Sequence, residues 1–389
     1  MVKVSQSKGP GTAERRNPDN ILLIVTLLLL IGGTVMIYST SSIIAQERFG
    51  DGNYFLKKQL FFVLVGLVAM WGFLKLPYHR MNRKIVAYGG IALSLVLLLL
   101  LFVPGLGTTV KGATRWLRLC GFSFQVSEFV KIALVVFLAH YLSKKITASR
   151  EFLRFFAVPL GVTILIVTLV LKQPDFGTAV IMVSVLMAML YVVGGRIVYL
   201  AGFVAASVPV AIFLVMHEQY RMKRIMTFLN PWDDPQGAGF HIIQSFLSFG
   251  SGGVCGVGLG DSMQKLFYLP EPHTDFIFSI IGEELGFVGV SIVILLFVLF
   301  IVRGLTIAFQ SGDLFGTLLA AGLTTVIGLE ACINMAAVMG LIPTKGLVLP
   351  FLSYGGTSLI MCMVLVGILL NISTYGQAEK KQVRVETKS

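Results

Sequence analysis

Charge is scarce in this chain. Asp, Glu, Lys and Arg make up only 13% of its 389 residues against 56% hydrophobic side chains, and the mean hydropathy is +0.86. An ordinary soluble domain, with about a quarter of its residues charged, is thereby excluded. Cysteine and histidine are also few. Cys120, Cys255, Cys332 and Cys362 form no CxxC pair and the five histidines are scattered, so no metal-ligand spacing stands out. The cysteines read as small buried apolar residues rather than as a Cys120–Cys255 disulfide. The glycines of GSGGVCGVGLG, 250–260, lack the strand-to-helix setting of a dinucleotide site, and read instead as a loop that approaches a ligand or another segment closely. No internal repeat stands out, which weakens the commonest transporter architectures.

What is abundant is long apolar runs. They fall at about 20–43, 57–77, 86–104, 123–143, 155–171, 176–194, 197–216, 276–302, 315–341 and 350–373, each near the ~20 residues that cross a hydrocarbon core. The pattern predicts an all-α integral membrane protein of about ten transmembrane helices. A basic N-terminal tail, 1–19, precedes a first run too long for a signal-peptide core and without a cleavage site, so that helix is expected to stay as an anchor. The larger share of Lys and Arg falls on the N-terminal side of the spans, which favours both termini inside. The membrane domain covers 20–373, a charged tail expected to be disordered covers 374–389, and one large extracytoplasmic loop, 217–275, joins spans seven and eight. Within it GFHIIQSFLSFG, 239–250, is apolar almost all round and predicts a short interfacial helix.

Ionisable groups within spans cost about 2.5–3.5 kcal/mol each, so each needs a partner or a task. Glu128 and Lys131 stand at i and i+3 on one helix face, the spacing of an ion pair. Lys172 and Asp175 flank Pro174, which is expected to open the sixth helix at its first position, and the two charges either neutralise each other or serve a ligand. Glu330 reads as a lone carboxylate, with Asn334 one turn later, in a structural or interhelical hydrogen-bonding role. The stretch GLIPTKGLVLPFLSYGGTSL, 340–359, reads as a kinked re-entry with Lys345 at its outward tip. Lys111, Arg115, Arg118, Lys345 and the YRMKR of 220–224 make the outer face rich in cations, either as solvated loop charge or as a site for a lipid phosphate. Asp275, in LPEPHTDFIFSIIGEELG, is either the cap of the eighth helix, a role His273 or Thr274 could share, or a base facing that cationic site. Glu283 and Glu284 are expected to pair with other helices.

The segments GATRWLRL, FQVSEFVK, KQPDFGTA, YRMKRIMTFLNPWDDPQGAGFHIIQS, LPEPHTDFIFSIIGEELGFVG and INMAAVMGLIPTKGLVLPFLSYGGTSL, in this order, resemble the SEDS family of cell-wall proteins, whose branches are FtsW, RodA and SpoVE. VPGLG before KGATRW and PTKGL before LPFLSYGGTSL look more like the division branch, FtsW, than the elongation branch, RodA. The resemblance implies a peptidoglycan glycosyltransferase that inverts the anomeric carbon of lipid II in the bacterial cytoplasmic membrane, with Asp275 as its catalytic base. It implies Arg115, Glu128, Lys131, Lys172 and Asp175 as substrate-binding residues; Arg221, His273, Lys345 and Ser353 complete the expected set around lipid II and the departing undecaprenyl diphosphate, which a divalent cation such as Mg or Mn could join. The partners implied are a class B penicillin-binding protein and other divisome proteins at the septum, and no nucleic acid. Two departures stand out: the family usually has QPSE where this chain has Gln125, Val126, Ser127 and Glu128, and usually Gln where Glu330 stands. A lipid II flippase and a non-enzymatic scaffold for the transpeptidase are the other readings; polymerisation needs the outward carboxylate, and flipping does not.

Overall fold

The computed structural model describes residues 17–110, 113–119, 122–145, 153–237, 239–263 and 274–386. Among the described residues thirteen α-helices carry the architecture: α1 Asn20–Phe49, α2 Tyr54–Lys75, α3 Lys84–Leu100, α4 Val126–Lys145, α5 Val158–Lys172, α6 Phe176–Val192, α7 Ile197–Met216, α8 Gln219–Leu229, α9 Phe240–Gly252, α10 Ile277–Glu284, α11 Gly286–Gln310, α12 Leu314–Val338 and α13 Gly356–Glu386. Seven of them (α1, α2, α4, α5 with the turn before it, α11, α12 and α13) are long and apolar enough to cross a membrane, and α3, α6 and α7 are shorter apolar helices.

The core forms where small residues let helices close on one another. In α12, Gly322 faces Val135 of α4 and Met189 of α6 so closely that a β-carbon there would lie 2.7 Å from the valine. Gly66, Gly356 and Gly367 do the same between α2 and α13. By contrast, none of the described side chains of α7 is buried, so this helix stands away from the bundle. At one end of the bundle Asp19 caps α1 through the Leu22 N–H at 2.8 Å, pairs with Arg303 of α11, and donates its own N–H to the Ser373 hydroxyl of α13 at 3.0 Å. The start of α1 and the late turns of α13 therefore lie at the same end.

Four sequence expectations change. The chain is not purely helical: β1 Gly107–Val110, β2 Ala113–Leu119 and β3 Phe122–Gln125 form an antiparallel sheet in the order β1-β2-β3 between α3 and α4. Strand alternation places Arg115 and Leu117 of β2 on one face, and Leu117 is buried, which turns Arg115 toward the bundle. The predicted eighth span is two helices, α10 and α11, because Gly286 sits at φ +63. The charged tail from Thr374 continues as helix in α13 to Glu386, consistent with its Gln, Ala, Glu and Lys content. Finally, Cys255 and Cys332 are exposed free thiols and only Cys362 is buried, while Cys120 lies outside the described residues. The short helix expected within the large loop is present as α9.

The break at Gly286 is held by the Gly-rich loop. The Phe287 and Val288 N–H groups donate to the Gly253 and Val254 carbonyls at 2.9 and 3.1 Å, and a β-carbon on Gly286 would meet the Gly256 nitrogen at 2.3 Å. Gly286→Ala thus combines a left-handed backbone with a backbone clash and is expected to cost about 2 kcal/mol or more, read as a lowered melting temperature of the purified protein.

Candidate functional site

At the end of the bundle away from Asp19, the ionisable residues gather around one cavity of about 2240 Å³. Its polar wall is built by four segments.

The first is the α5–α6 turn with the sheet. Asp175 is the N-cap of α6, accepting from the Thr178 N–H at 3.2 Å and the Thr178 hydroxyl at 2.9 Å. Pro174 therefore precedes the cap instead of opening the helix. Arg115 donates to the Pro174 carbonyl at 2.6 Å and lies 3.7 Å from the Asp175 carboxylate. The expected Lys172–Asp175 neutralisation is thus replaced by Arg115–Asp175, because strand β2 delivers a guanidinium across the turn. Lys172 is exposed and lines the cavity.

The second is a buried triad. Lys131 pairs with Glu128 at 2.9 Å on its own helix, as the i, i+3 spacing predicts, and also with Glu330 from α12. Glu330 is not a lone carboxylate. All three side chains are almost fully buried, and Glu128 and Glu330 reach the cavity wall. A lysine held between two carboxylates is a structural counter-ion first, with little left to offer an anion.

The third is the start of α10. The cap position falls on Phe276, which has no side chain able to cap, so Asp275 sits one residue before the N-cap, on the cavity wall. Its backbone is clamped from both sides. Ser353 donates its hydroxyl to the Thr274 carbonyl at 2.7 Å, and Asn334 donates to the Asp275 carbonyl at 3.0 Å and to the Leu347 carbonyl at 2.5 Å. Ser353, buried and outside the cavity lining, thus positions Thr274 rather than facing the cavity. Gly346 lies against the carboxylate itself: a β-carbon there would be 3.4 Å from an Asp275 oxygen. His273 lies outside the described residues.

The fourth is the re-entry, 339–355, part of whose freed backbone is satisfied within the protein. Arg224 of α8 donates to the Thr344 carbonyl at 2.9 Å, and the Ser353 hydroxyl accepts from the Leu349 N–H at 2.8 Å. Lys345 is half-buried on the cavity wall, 5.6 Å over the Phe176 ring, with Arg221 at 5.7 Å from the same ring. Burial lowers the Lys345 ammonium below the ordinary lysine range.

Glu284 pairs with another helix, as expected, whereas Glu283 pairs with the Gly-rich loop. Glu284 accepts from Ser39 of α1 at 2.6 and 2.7 Å, and Glu283 accepts from Ser262 and from the Met263 N–H at 3.0 Å, tying down the end of the Gly-rich loop.

Of the expected site residues, Asp275, Arg115, Glu128, Lys172, Asp175, Arg221 and Lys345 line one cavity. Lys131 and Ser353 act behind it. Arg224 was anticipated only as one of the YRMKR cations, and Asn334, Lys57 and Lys58 were not anticipated as site residues; among those three, Asn334, one helical turn from Glu330, carried a sequence signal. Between α5, α6 and α7 the same cavity continues as an apolar groove past Val167, Leu171, Val183 and Phe203.

Spanning-length apolar helices around a cation-rich cavity with an apolar side groove define a multi-pass membrane protein. The chain belongs to the FtsW/RodA/SpoVE family of cell cycle proteins, whose family model matches residues 19–378. It is 48% identical over 355 residues to a probable peptidoglycan glycosyltransferase FtsW of Trichlorobacter lovleyi, covering 91% of this chain and 93% of that one. It is 42% identical to the stage V sporulation protein E of Bacillus subtilis, covering 94% of this chain and 100% of that one. Among solved structures, a chain of a peptidoglycan synthase complex that coordinates polymerization and crosslinking superposes with a TM-score of 0.76 at 29% identity, covering 92% of this chain and 97% of that one.

Proposed function

We propose that this chain is a peptidoglycan glycosyltransferase that polymerises lipid II into β-1,4 glycan at the outer face of the cytoplasmic membrane during septal wall synthesis. The observation that carries the reading is Asp275, clamped by Asn334 and Ser353 on the wall of a cavity where Lys345, Arg221, Arg224, Lys172 and Arg115 converge.

The chemistry follows from the substrate. The acceptor's 4-hydroxyl loses its proton to an Asp275 oxygen as its own oxygen attacks the donor's anomeric carbon, and a new carbon–oxygen bond forms on the face opposite the diphosphate. The bond from that carbon to the phosphate oxygen breaks, and the diphosphate leaves with the electron pair. An α-linked diphosphate becomes a β-glycoside with one base and no covalent intermediate. The cations supply the countercharge that grows on the leaving oxygen.

Among the described residues no three His, Cys, Asp or Glu side chains gather as a metal cage. Mg²⁺ keeps several waters and needs only one or two carboxylates beside substrate phosphates, so Asp275 with the diphosphate would suffice to hold one, where it would neutralise phosphate charge. A ten-crossing, N-in/C-in topology accords with the shared end of Asp19 and Ser373 and with the ten apolar helices. A class B penicillin-binding protein is the proposed partner, to cross-link the strands.

The test is purified protein in vesicles with labelled lipid II. Glycan strands support polymerisation; transfer of lipid II between leaflets without strands would replace it with flipping. A second check is the pH profile. Because Lys345 gives up its proton below the ordinary lysine range, polymerisation is expected to fall as pH rises, and Lys345→Arg, which stays charged, is expected to move that fall to higher pH. An unmoved profile would remove Lys345 from the site.

A further inference from the structure

At the Asp19 end of the bundle, opposite the cavity, positive charge gathers without a countercharge. No Asp or Glu occurs between Asp51 and Glu128 or between Glu128 and Glu151, so α2, α3, the turn joining them and the far end of α4 bring only cations here. The turn, Tyr78–Asn82, is fixed against α4 where Asn82 Oδ1 lies 2.8 Å from Nδ1 of the buried His140. Lys84, the first residue of α3, and Lys144, in the last turn of α4, both act electrostatically on the His140 ring, and both are exposed. Two ammonium groups from two helices thus converge around one histidine, with the exposed Arg83 beside them.

The acids at this end are already engaged. Asp19 pairs with Arg303 and Asp313 accepts from the Tyr78 hydroxyl, and among the described residues no carboxylate pairs with Arg83, Lys84 or Lys144. The first turn of α3 holds no acidic residue and no side chain caps it, so the positive end of that helix adds to the crowding. The patch also lies at the level of lipid headgroups. Lys75 sits 3.7 Å over the Trp71 ring at the end of α2, just before the turn, an aromatic and cation pair of the kind that marks a membrane boundary. Directly beside Lys84 the exposed apolar face of α3 begins: Ile85, Val96 and Leu99 share one face, with Gly89 and Ala92 between them, and the space beside Gly89 is open. Cations at one end of an apolar strip suit a ligand with an anionic head and an acyl tail, which a soluble anion lacks.

We propose that Arg83, Lys84 and Lys144 form the headgroup site of an anionic phospholipid, with its phosphate between the two lysines and one acyl chain along α3 past Gly89. In the N-in orientation this lipid belongs to the cytoplasmic leaflet. Its phosphate supplies the countercharge that the chain withholds, and by bridging α3 and α4 it braces the two helices that flank the sheet carrying Arg115. The site lies at the far end of the bundle from Asp275, so the inference stands independently of the glycosyltransferase reading, and its test needs no lipid II.

The full chain in detergent micelles, titrated with phosphatidylglycerol or phosphatidylcholine, provides the test, with bound lipid counted by native mass spectrometry and the thermal melt recorded beside it. The wild type is expected to bind phosphatidylglycerol in preference and to melt at a higher temperature with it. Lys84→Gln with Lys144→Gln is expected to weaken phosphatidylglycerol binding about 30-fold, while Lys84→Arg with Lys144→Arg keeps it. Arg196→Gln, which removes an exposed cation at the α6–α7 connection on the same end, is expected to change it less than about twofold. Should the double glutamine variant not fold, Lys84→Gln and Lys144→Gln singly decide, each with an expected loss of about fivefold. No preference for phosphatidylglycerol, an equal loss in Arg196→Gln, unchanged binding by the glutamine variants, or equal stabilisation by soluble glycerol phosphate at the same concentration would each overturn the assignment.

Discussion

Asp275→Asn is expected to lower glycan polymerisation by about 10²–10⁴-fold, the span by which a positioned general base contributes, with the melting temperature close to wild type. The geometry separates these two effects. What holds the 274–275 backbone is its carbonyls, taken by Ser353 and Asn334, and those bonds do not involve the Asp275 carboxylate. Asparagine keeps the shape and the carbonyl clamps while losing the basic oxygen. Strand synthesis by the purified variant, measured beside its thermal melt, checks both halves. Activity near wild type would show that another group takes the proton.

Lys131→Met is expected to do the opposite, removing the fold before the chemistry. Glu128 and Glu330 would be left buried without a countercharge, at a cost of about 3–5 kcal/mol, enough to prevent stable folding of many proteins. If the loss comes from the stranded carboxylates, Glu128→Gln and Glu330→Gln in the same chain should restore most of it. Glu330→Gln alone should cost far less than Lys131→Met, since Lys131 keeps Glu128 at 2.9 Å and no carboxylate is left stranded. The yield of monodisperse protein and its melting temperature read out all three; a stable Lys131→Met protein would mean the triad is not what ties α4 to α12.

The parts of the site legible in the sequence were those whose geometry is local. Glu128 and Lys131 meet because three residues make most of a helical turn, and Asp275 stood out because a carboxylate at the entry of an apolar run needs a reason. The placement of Glu330 opposite Lys131 is set by how α12 packs on α4, 199 positions away in the chain, and no spacing rule reports it. Asn334 looked like an interhelical hydrogen bonder, but that its partners are the carbonyls of Asp275 and Leu347 depends on the fold of the re-entry. The small sheet was missed because its strands are short, β1 and β3 having four residues each, within a stretch that reads as loop. The break between α10 and α11 was hidden because 276–302 reads as one apolar run interrupted only by Glu283 and Glu284, and the left-handed Gly286 marks the turn. The same long-range packing explains Lys57 and Lys58: each looks like loop charge until α2 brings it to the wall of the cavity.

The most direct measurement is the linkage of the product made when the purified chain is given labelled lipid II and nothing else that polymerises sugars. A single base opposite a departing α-diphosphate predicts β-1,4 strands, identified by the anomeric coupling and by digestion with a β-1,4-specific muramidase. Strands with retained α configuration, or no strands from a folded and correctly partnered protein, would contradict the account.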